Sequence, residues 1–275
     1  MSAKNNNSFD FKAARQRCMK FRRRILDISQ TVVALHIAPA FSCLEVVDLI
    51  YHGLMRENSS AHKDAFLMSK GHGCMAQYVV LEELGVLSND DLGKYCTPEG
   101  ILGAHPDYET PGIEAATGSL GHGLSMAVGM SYAEKIKGTD STIYTVLSDG
   151  EVQEGSTWEA VLMASTFNTT NLIAFVDYND FQSLGRTSET HPTFYPLTDK
   201  FVAFGWESVE VNGHNAEEVY AAVQQRKGDK PLMIVCKTVK GRGVSYMESV
   251  PIWHYRAPNA EEYEQAINEL KEISS

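Results

Sequence analysis

Residues 142–147 (Thr-Ile-Tyr-Thr-Val-Leu) and 172–176 (Leu-Ile-Ala-Phe-Val) are short runs of β-branched, aromatic and aliphatic side chains, each entered from a polar stretch. Unbroken apolar runs of that length mark strands buried on both faces. Between them, residues 156–167 place Trp158, Val161, Leu162 and Ser165 at helical spacing within an Ala-rich remainder. Strand, helix, strand over about 35 residues predicts a βαβ unit with parallel strands and a right-handed crossover. Residues 207–211 and 232–236 read as two more strands around a helix at 216–225, a second unit of the same kind. Upstream of residue 140 the pattern is mainly helical, beginning with the stripe Phe11, Ala14, Cys18, Phe21, Ile25 and Ile28. At the other end, Asn259 and Glu262 form a capping pair ahead of the stripe Tyr263, Ala266, Ile267 and Leu270. The expected fold is α/β, a doubly wound, mostly parallel sheet with helices on both faces. Residues 1–8 are polar and patternless, so a disordered tail over 1–10 and a single domain over 11–275 are expected.

At 275 residues and 43% hydrophobic, the chain can bury a proper core. Lys and Arg number 24 against 35 Asp and Glu, a net charge of −11. That balance argues against nucleic acid or an anionic membrane as a partner, since both need a positive field. Any phosphate must then be met locally, by backbone N–H groups, a metal or single histidines. No apolar run approaches the roughly 20 residues of a membrane span, and no charged-then-apolar signal segment opens the chain. A soluble, cytoplasmic protein is expected. The five cysteines are scattered without a CxxC pair, which fits reduced, mostly buried thiols rather than a zinc site or disulfide framework. Residues 12–24 carry seven basic side chains and no acid, and read as the solvated face of the first helix.

In open parallel sheets, ligands bind beyond the carboxyl ends of the strands. The first mid-chain strand runs into Ser148-Asp149-Gly150-Glu151 and the second into Asp177-Tyr178-Asn179-Asp180-Phe181. One βαβ step brings Asp149 and Asn179 side by side. A carboxylate, an amide oxygen and a nearby backbone carbonyl make a hard oxygen site with open positions, suited to Mg²⁺ or Ca²⁺ shared with a diphosphate. Gly150 and Gly155 flank the start of the next helix, whose N-terminal N–H groups favour anions. Asp-Gly and Asn-Asp are also ordinary turn dipeptides at strand ends. On these residues alone, both readings stay open.

Ser148-Asp149-Gly150, followed after 27 residues by Tyr178-Asn179, is similar to the thiamine-diphosphate motif. Further segments narrow the likeness: Asp64-Ala-Phe-Leu-Met-Ser-Lys-Gly-His72, His105-Pro106-Asp107 with Pro111-Gly112-Ile113-Glu114, Thr117-Gly118-Ser119-Leu120-Gly121-His122-Gly123-Leu124-Ser125, Gln153-Glu154-Gly155 with Glu159-Ala160, and Trp253-His254. In this order, from about residue 12 to 272, they resemble the transketolases. The resemblance implies that Asp149, Asn179 and the Phe181 carbonyl hold Mg²⁺ on thiamine diphosphate, with Gly150 and His72 at the diphosphate. It implies Gly118 and Leu120 along the aminopyrimidine and the bend of the cofactor. His36, His72, His105 and His254 are the implied catalytic histidines, with His36, His105 and His254 toward the sugar hydroxyls. Glu154, counted among both catalytic and cofactor residues, and Glu159 match acids that face their counterparts across a subunit interface. Histidine also suits the task chemically, because ketol transfer needs a proton shuttle working near neutrality. His52, His62 and His191 read as surface or core residues, and His122 stands where many transketolases carry Gln.

Several positions depart from the family. Ser148 replaces the first Gly of the motif, Tyr178 the first Asn or Asp of its closing pair, and Ser183-Leu184-Gly185 an apolar-Asp-Gly segment. Leu35-His36-Ile37-Ala38-Pro39-Ala40 replaces a glycine-rich loop, which should be stiffened and filled. The glutamate that activates the aminopyrimidine, the aromatic residue stacked on it and the phosphate-gripping arginines belong to the family's second domain. No counterparts stand here, so the resemblance is to the N-terminal subunit of a split transketolase. It implies a separately encoded partner with the pyrimidine-binding and C-terminal domains, an α₂β₂ assembly, and two-carbon ketol transfer from a ketose or ketose phosphate to an aldehyde. The alternatives are the α subunit of a thiamine-dependent 2-oxo acid decarboxylase or dehydrogenase, and a non-catalytic scaffold subunit.

Overall fold

The computed structural model describes residues 9–274 apart from 33, 57, 60, 61 and 184, so the expected tail over 1–8 and Leu184 lie outside the described residues. Helices α1 (Phe11–Ser29) and α2 (Ile37–Leu49) precede strand β1 (Ala65–Met68) and helices α3 (Cys74–Glu83), α4 (Asn89–Gly93) and α5 (Gly123–Lys137). The first predicted unit follows as β2 (Ile143–Ser148), α6 (Gly155–Thr166) and β3 (Leu172–Tyr178). Short helices α7 (Thr187–Thr190) and α8 (Leu197–Ala203) lead to the second, β4 (Glu207–Asn212), α9 (Ala216–Gln224) and β5 (Leu232–Lys237), and α10 (Ala260–Ser274) closes the chain.

All five strands are parallel, in the spatial order β1-β2-β3-β5-β4. Alternate residues of each strand feed separate cores, as the two-residue strand period requires. Phe66, Met68, Tyr144, Val146, Ile173, Phe175, Leu232 and Ile234 pack against α1, α2, α3, α9 and α10. Ala65, Leu67, Ile143, Leu147, Ala174, Val176, Met233 and Val235 pack against α5, α6 and α8. The sheet is therefore doubly wound. The chain leaves β1 and β5 toward the first face and β2 and β3 toward the second. Crevices consequently open at the carboxyl edge between β1 and β2 and between β3 and β5.

Five expectations need correction. Strand β1 lies in a region read as helical; its Ala-Phe-Leu-Met run is too short to show a period. Phe9 and Asp10, assigned to the tail, belong to the fold: Asp10 Oδ1 accepts from the N–H groups of Lys12 and Ala13, and Phe9 packs edge-on to Phe11. The basic stretch on α1 is not simply solvated. Arg22 is buried on Glu45 at 2.7 Å, Arg17 binds Asp48 at 2.7 Å and Arg24 binds Glu82 at 2.8 Å, so acids of α2 and α3 neutralise it. Leu162 points outward from α6, whose inner stripe is Thr157, Ala160, Val161 and Ala164. Finally, Ile37–Leu54, α2 with its π-helical extension, is long and apolar enough to cross a membrane by length and composition, but 78% of it is buried in this core. The C-terminal capping pair forms as expected: Asn259 N–H donates to Glu262 Oε2 at 2.8 Å, and Glu262 N–H to Asn259 Oδ1 at 2.9 Å.

Candidate active site

The crevices gather side chains from four parts of the chain. Beyond β1, the turn Gly71–Gly73 carries His72; beyond β5, the turn Pro251–His254 carries His254. His36 is the N-terminal cap of α2, and His105 comes from the long loop before α5. The ring centroid of His36 lies 5.9 Å from that of His72, 5.6 Å from His105 and 5.4 Å from His254, and His72 and His254 are 5.3 Å apart. The four imidazoles thus make one cluster.

Local sequence explains how the rings come so close. Gly118 has φ +129°, and a Cβ there would stand 2.8 Å from the His105 ring. A Cβ on Gly71 would meet the Gly118 backbone at 2.7 Å. Only glycine permits this interleaving of the two loops. Ala38, Pro39 and Ala40 form the buried first turn of α2 rather than a loop, which places His36 on a rigid element. Proline is tolerated there because first-turn N–H groups have no intrahelical acceptor.

The cluster is electrostatically biased toward neutral imidazole. Burial, then His105, Lys70 and Lys240, push His36 down to about 4. Burial, then Lys240, push His254 to about 3; burial pushes His72 well below the usual range and lowers His105. Lys240, itself pushed down to about 8 by burial and by Lys70, approaches His254 Nδ1 at 2.8 Å. An ammonium has no lone pair, so His254 Nδ1 accepts and its Nε2 carries the proton. His254 thus presents a donor, while His36 Nδ1 is buried with no partner.

Beneath the histidines sits a polar hub. Asp177, at the end of β3 and 1% exposed, accepts from Lys70 Nζ, Thr238 Oγ1, Ser42 Oγ at 2.6 Å and Asn179 Nδ2 at 3.1 Å. Burial alone would lower Lys70, but the Asp177 charge reverses the sign and raises it. Asp177, Lys70 and Lys240 were not singled out from sequence. Their only signal there was charge set among apolar and glycine neighbours, and the Lys70–Asp177 pairing spans 107 residues.

Asp149 and Asn179 emerge side by side. Ser148 pairs in register with Asp177, and Asp149 Oδ2 accepts from Asp180 N–H at 2.7 Å. Ser148 closes β2 without a positive φ, so replacing glycine there costs nothing in backbone strain. Asp149 is fully buried and, among the described residues, has no Lys or Arg partner; burial and then Asp177 push it up to about 7. An acid so placed suits a cation. Ser42 Oγ and Asp177 both take the Asn179 amide N–H groups, leaving its Oδ1 to accept from Phe181 N–H at 3.0 Å. The Asp149 carboxylate and Asn179 Oδ1 are hard oxygen donors, the type that suits Mg²⁺ or Ca²⁺, and the Phe181 backbone meets Asn179 Oδ1 through its N–H. Among the described residues no three His, Cys, Asp or Glu side chains cluster as metal ligands.

Gly150 leads into the turn Glu151–Gln153, where buried Glu151 ties the loops together by accepting from Ser69 Oγ at 2.5 Å and Gly121 N–H at 3.0 Å. Leu120 is half-buried. Glu154 and Glu159 lie toward the surface; Glu154 is the N-cap residue of α6 without a side-chain capping bond, and its Cβ and Cγ lie against Gly121. His122 lies on an open cavity of about 550 Å³ with Thr117, Ser125, Met126 and Ser156. His52 pairs with Asp48 and Glu83, and His191 ends α7. Tyr178 stacks on Tyr195, with centroids 5.1 Å apart.

Residues 15–270 match the family model for the transketolase thiamine diphosphate binding domain. An apulose-4-phosphate transketolase subunit from Phocaeicola vulgatus is 39% identical over 92% of each chain. The 6-deoxy-6-sulfo-D-fructose transketolase subunit SqwG of Clostridium sp. is 38% identical over 86% of this chain and 88% of its own. Human transketolase is 35% identical over 90% of this chain, which spans only 41% of that protein. Among solved structures, transketolase from Leishmania mexicana superposes with a TM-score of 0.86 at 28% identity, over 94% of this chain and 41% of that one. This chain belongs to the transketolase family, where it corresponds to the thiamine-diphosphate-binding domain.

Proposed function

We propose that this protein is the diphosphate-gripping half of a two-chain transketolase, moving a two-carbon ketol unit from a ketose or ketose phosphate to an aldehyde. The observation that carries the reading is the pairing of a neutral four-histidine cluster with a buried, uncompensated Asp149 at the same sheet edge. Asp149, Asn179 and the Phe181 carbonyl would hold Mg²⁺ or Ca²⁺, with Gly150 and His72 at the diphosphate and Gly118 and Leu120 along the aminopyrimidine. Thiamine diphosphate, when bound, supplies the electron sink for cleaving the carbon–carbon bond.

The chain's own residues then orient the sugar and manage its protons. His254, protonated at Nε2 by its bond to Lys240, donates to a sugar hydroxyl. His36, held neutral by burial and by the neighbouring cations, accepts the proton from the hydroxyl beside the cleaved bond, with His105 at its side. Glu154, at the rim, would face the partner assembly. A 2-oxo acid has no such hydroxyl to deprotonate, which disfavours the decarboxylase alternative.

Relatives named as transketolase subunits, for apulose 4-phosphate and for 6-deoxy-6-sulfo-D-fructose, support a separately encoded partner with the pyrimidine-binding half. We take residues 9–275 as one domain, α₂β₂ as the assembly and the cytoplasm as the compartment, the last supported by five unpaired cysteines. The test is donor turnover by the chain with its partner, thiamine diphosphate and Mg²⁺, comparing ketoses with pyruvate. Ketose cleavage by the pair and none by the chain alone supports the reading. Pyruvate turnover, or no turnover of either, overturns it.

A further inference from the structure

Tyr255 leaves the turn that carries His254, and its ring centroid lies 4.5 Å from that of His36, the planes inclined by 44°. It is the nearest of four rings around that imidazole; His254, His105 and His72 stand farther away. Tyr255 is 52% exposed, yet His36 beneath it is only 9% exposed. The tyrosine is anchored at its root. Trp253 is buried against Tyr246 at 4.9 Å, and the Arg256 guanidinium covers the Trp253 ring at 4.2 Å. Residues 253 and 256 thus fix the backbone on either side, while the Tyr255 hydroxyl makes no hydrogen bond among the described residues.

We infer that Tyr255 is a positioning residue for His36: its ring keeps water off the imidazole and fixes the plane in which that imidazole meets the substrate, and its hydroxyl is dispensable. The inference rests on the reading of His36 as a substrate-facing proton acceptor. The groups that face His36 are Lys70 and Lys240, with His72, His105 and His254 around it. Among the causes that keep it neutral, burial is the largest, and Tyr255 and His105 are the exposed members of that enclosure, Tyr255 standing nearer to His36. Removing the ring wets one face of His36 and stabilises the imidazolium, so protonation moves to higher pH. A proton acceptor that is already charged is spent, so the acid limb of activity rises with that protonation.

The test is a histidine proton NMR titration of the full chain, with the His36 resonance identified by its loss in His36→Gln. Tyr255→Phe should leave the His36 midpoint within a few tenths of a pH unit, and Tyr255→Ala should raise it by about one pH unit or more. In the reconstituted enzyme, the acid limb of kcat/KM should move upward by the same interval in Tyr255→Ala and be restored in Tyr255→Phe. An unmoved midpoint in Tyr255→Ala overturns the inference, as does an equal change in Tyr255→Phe. Urea midpoints of both variants separate a local effect from unfolding. The titration needs no turnover, so a raised midpoint without ketol transfer would support this inference while refuting the functional reading.

Discussion

Replacing Asp177 by Asn removes the only carboxylate that touches Lys70 among the described residues, leaving its ammonium just the Pro39 carbonyl at 3.0 Å. Both side chains of this pair are 1% exposed, so solvent cannot take over the lost interaction. Breaking a buried pair by deleting one partner typically costs about 3–5 kcal/mol. Ser42, Thr238 and Asn179 also lose a charged acceptor, though the new amide oxygen still accepts from some of them. Against a total stability of about 5–15 kcal/mol, that is a severe loss. For a domain of this size it lowers Tm by roughly 6–20 °C. Urea and thermal unfolding of the full chain at pH 7 measure it. The double variant Asp177→Asn with Lys70→Met should recover a large part of the loss, because no lone charge then remains buried. A loss below about 1 kcal/mol in the single variant, or strict additivity in the double, would refute the reasoning.

Gly118→Ala combines a left-handed backbone with a Cβ 2.8 Å from the His105 ring, so about 1–3 kcal/mol of stability and the His105 resonance position should both change; an NMR spectrum and unfolding curve like those of the wild type would contradict the packing argument. Burial works to raise Glu45, but Arg22 and His214 outweigh it and hold it at about 2. A depressed carboxylate contributes stability above its unfolded value, ordinarily 4.5, and loses it as pH falls through the folded value. Glu45→Gln should therefore cost about 3 kcal/mol at pH 7, with the difference from wild type shrinking between pH 4.5 and 2; a pH-independent difference would show that the loss is steric. His214, which accepts from Val239 N–H at 2.8 Å, would lose its carboxylate partner in the same variant, so its own resonance reports whether the network opened.

Much of the fold was legible because two βαβ units carry strong periods. The expected strands at 142–147 and 172–176 appear as Ile143–Ser148 and Leu172–Tyr178, and the second unit differs by a residue or two at its ends. Strand β1 escaped because four apolar residues carry no period and its partner, β2, lies far along the chain, Met68 pairing with Val146. The four histidines could be grouped only through family motifs, since no spacing along the chain links positions 36, 72, 105 and 254. The hub around Asp177 was invisible for the same reason, joining Ser42, Lys70, Asn179 and Thr238 through the fold alone. Arg22 shows the limit of reading charge as solvation: its guanidinium lies buried on Glu45 and on the Phe41 carbonyl.

The central claim is that this chain holds the metal-diphosphate half of a thiamine enzyme's site. Calorimetric titration of thiamine diphosphate into the complex of chain and partner, with and without Mg²⁺, tests it most directly when wild type is compared with Asp149→Asn. Mg²⁺-dependent binding that weakens at least about tenfold in the variant, near 1.4 kcal/mol, is the result the structure predicts. Binding that is absent in the wild type, or equal in both proteins, would contradict it.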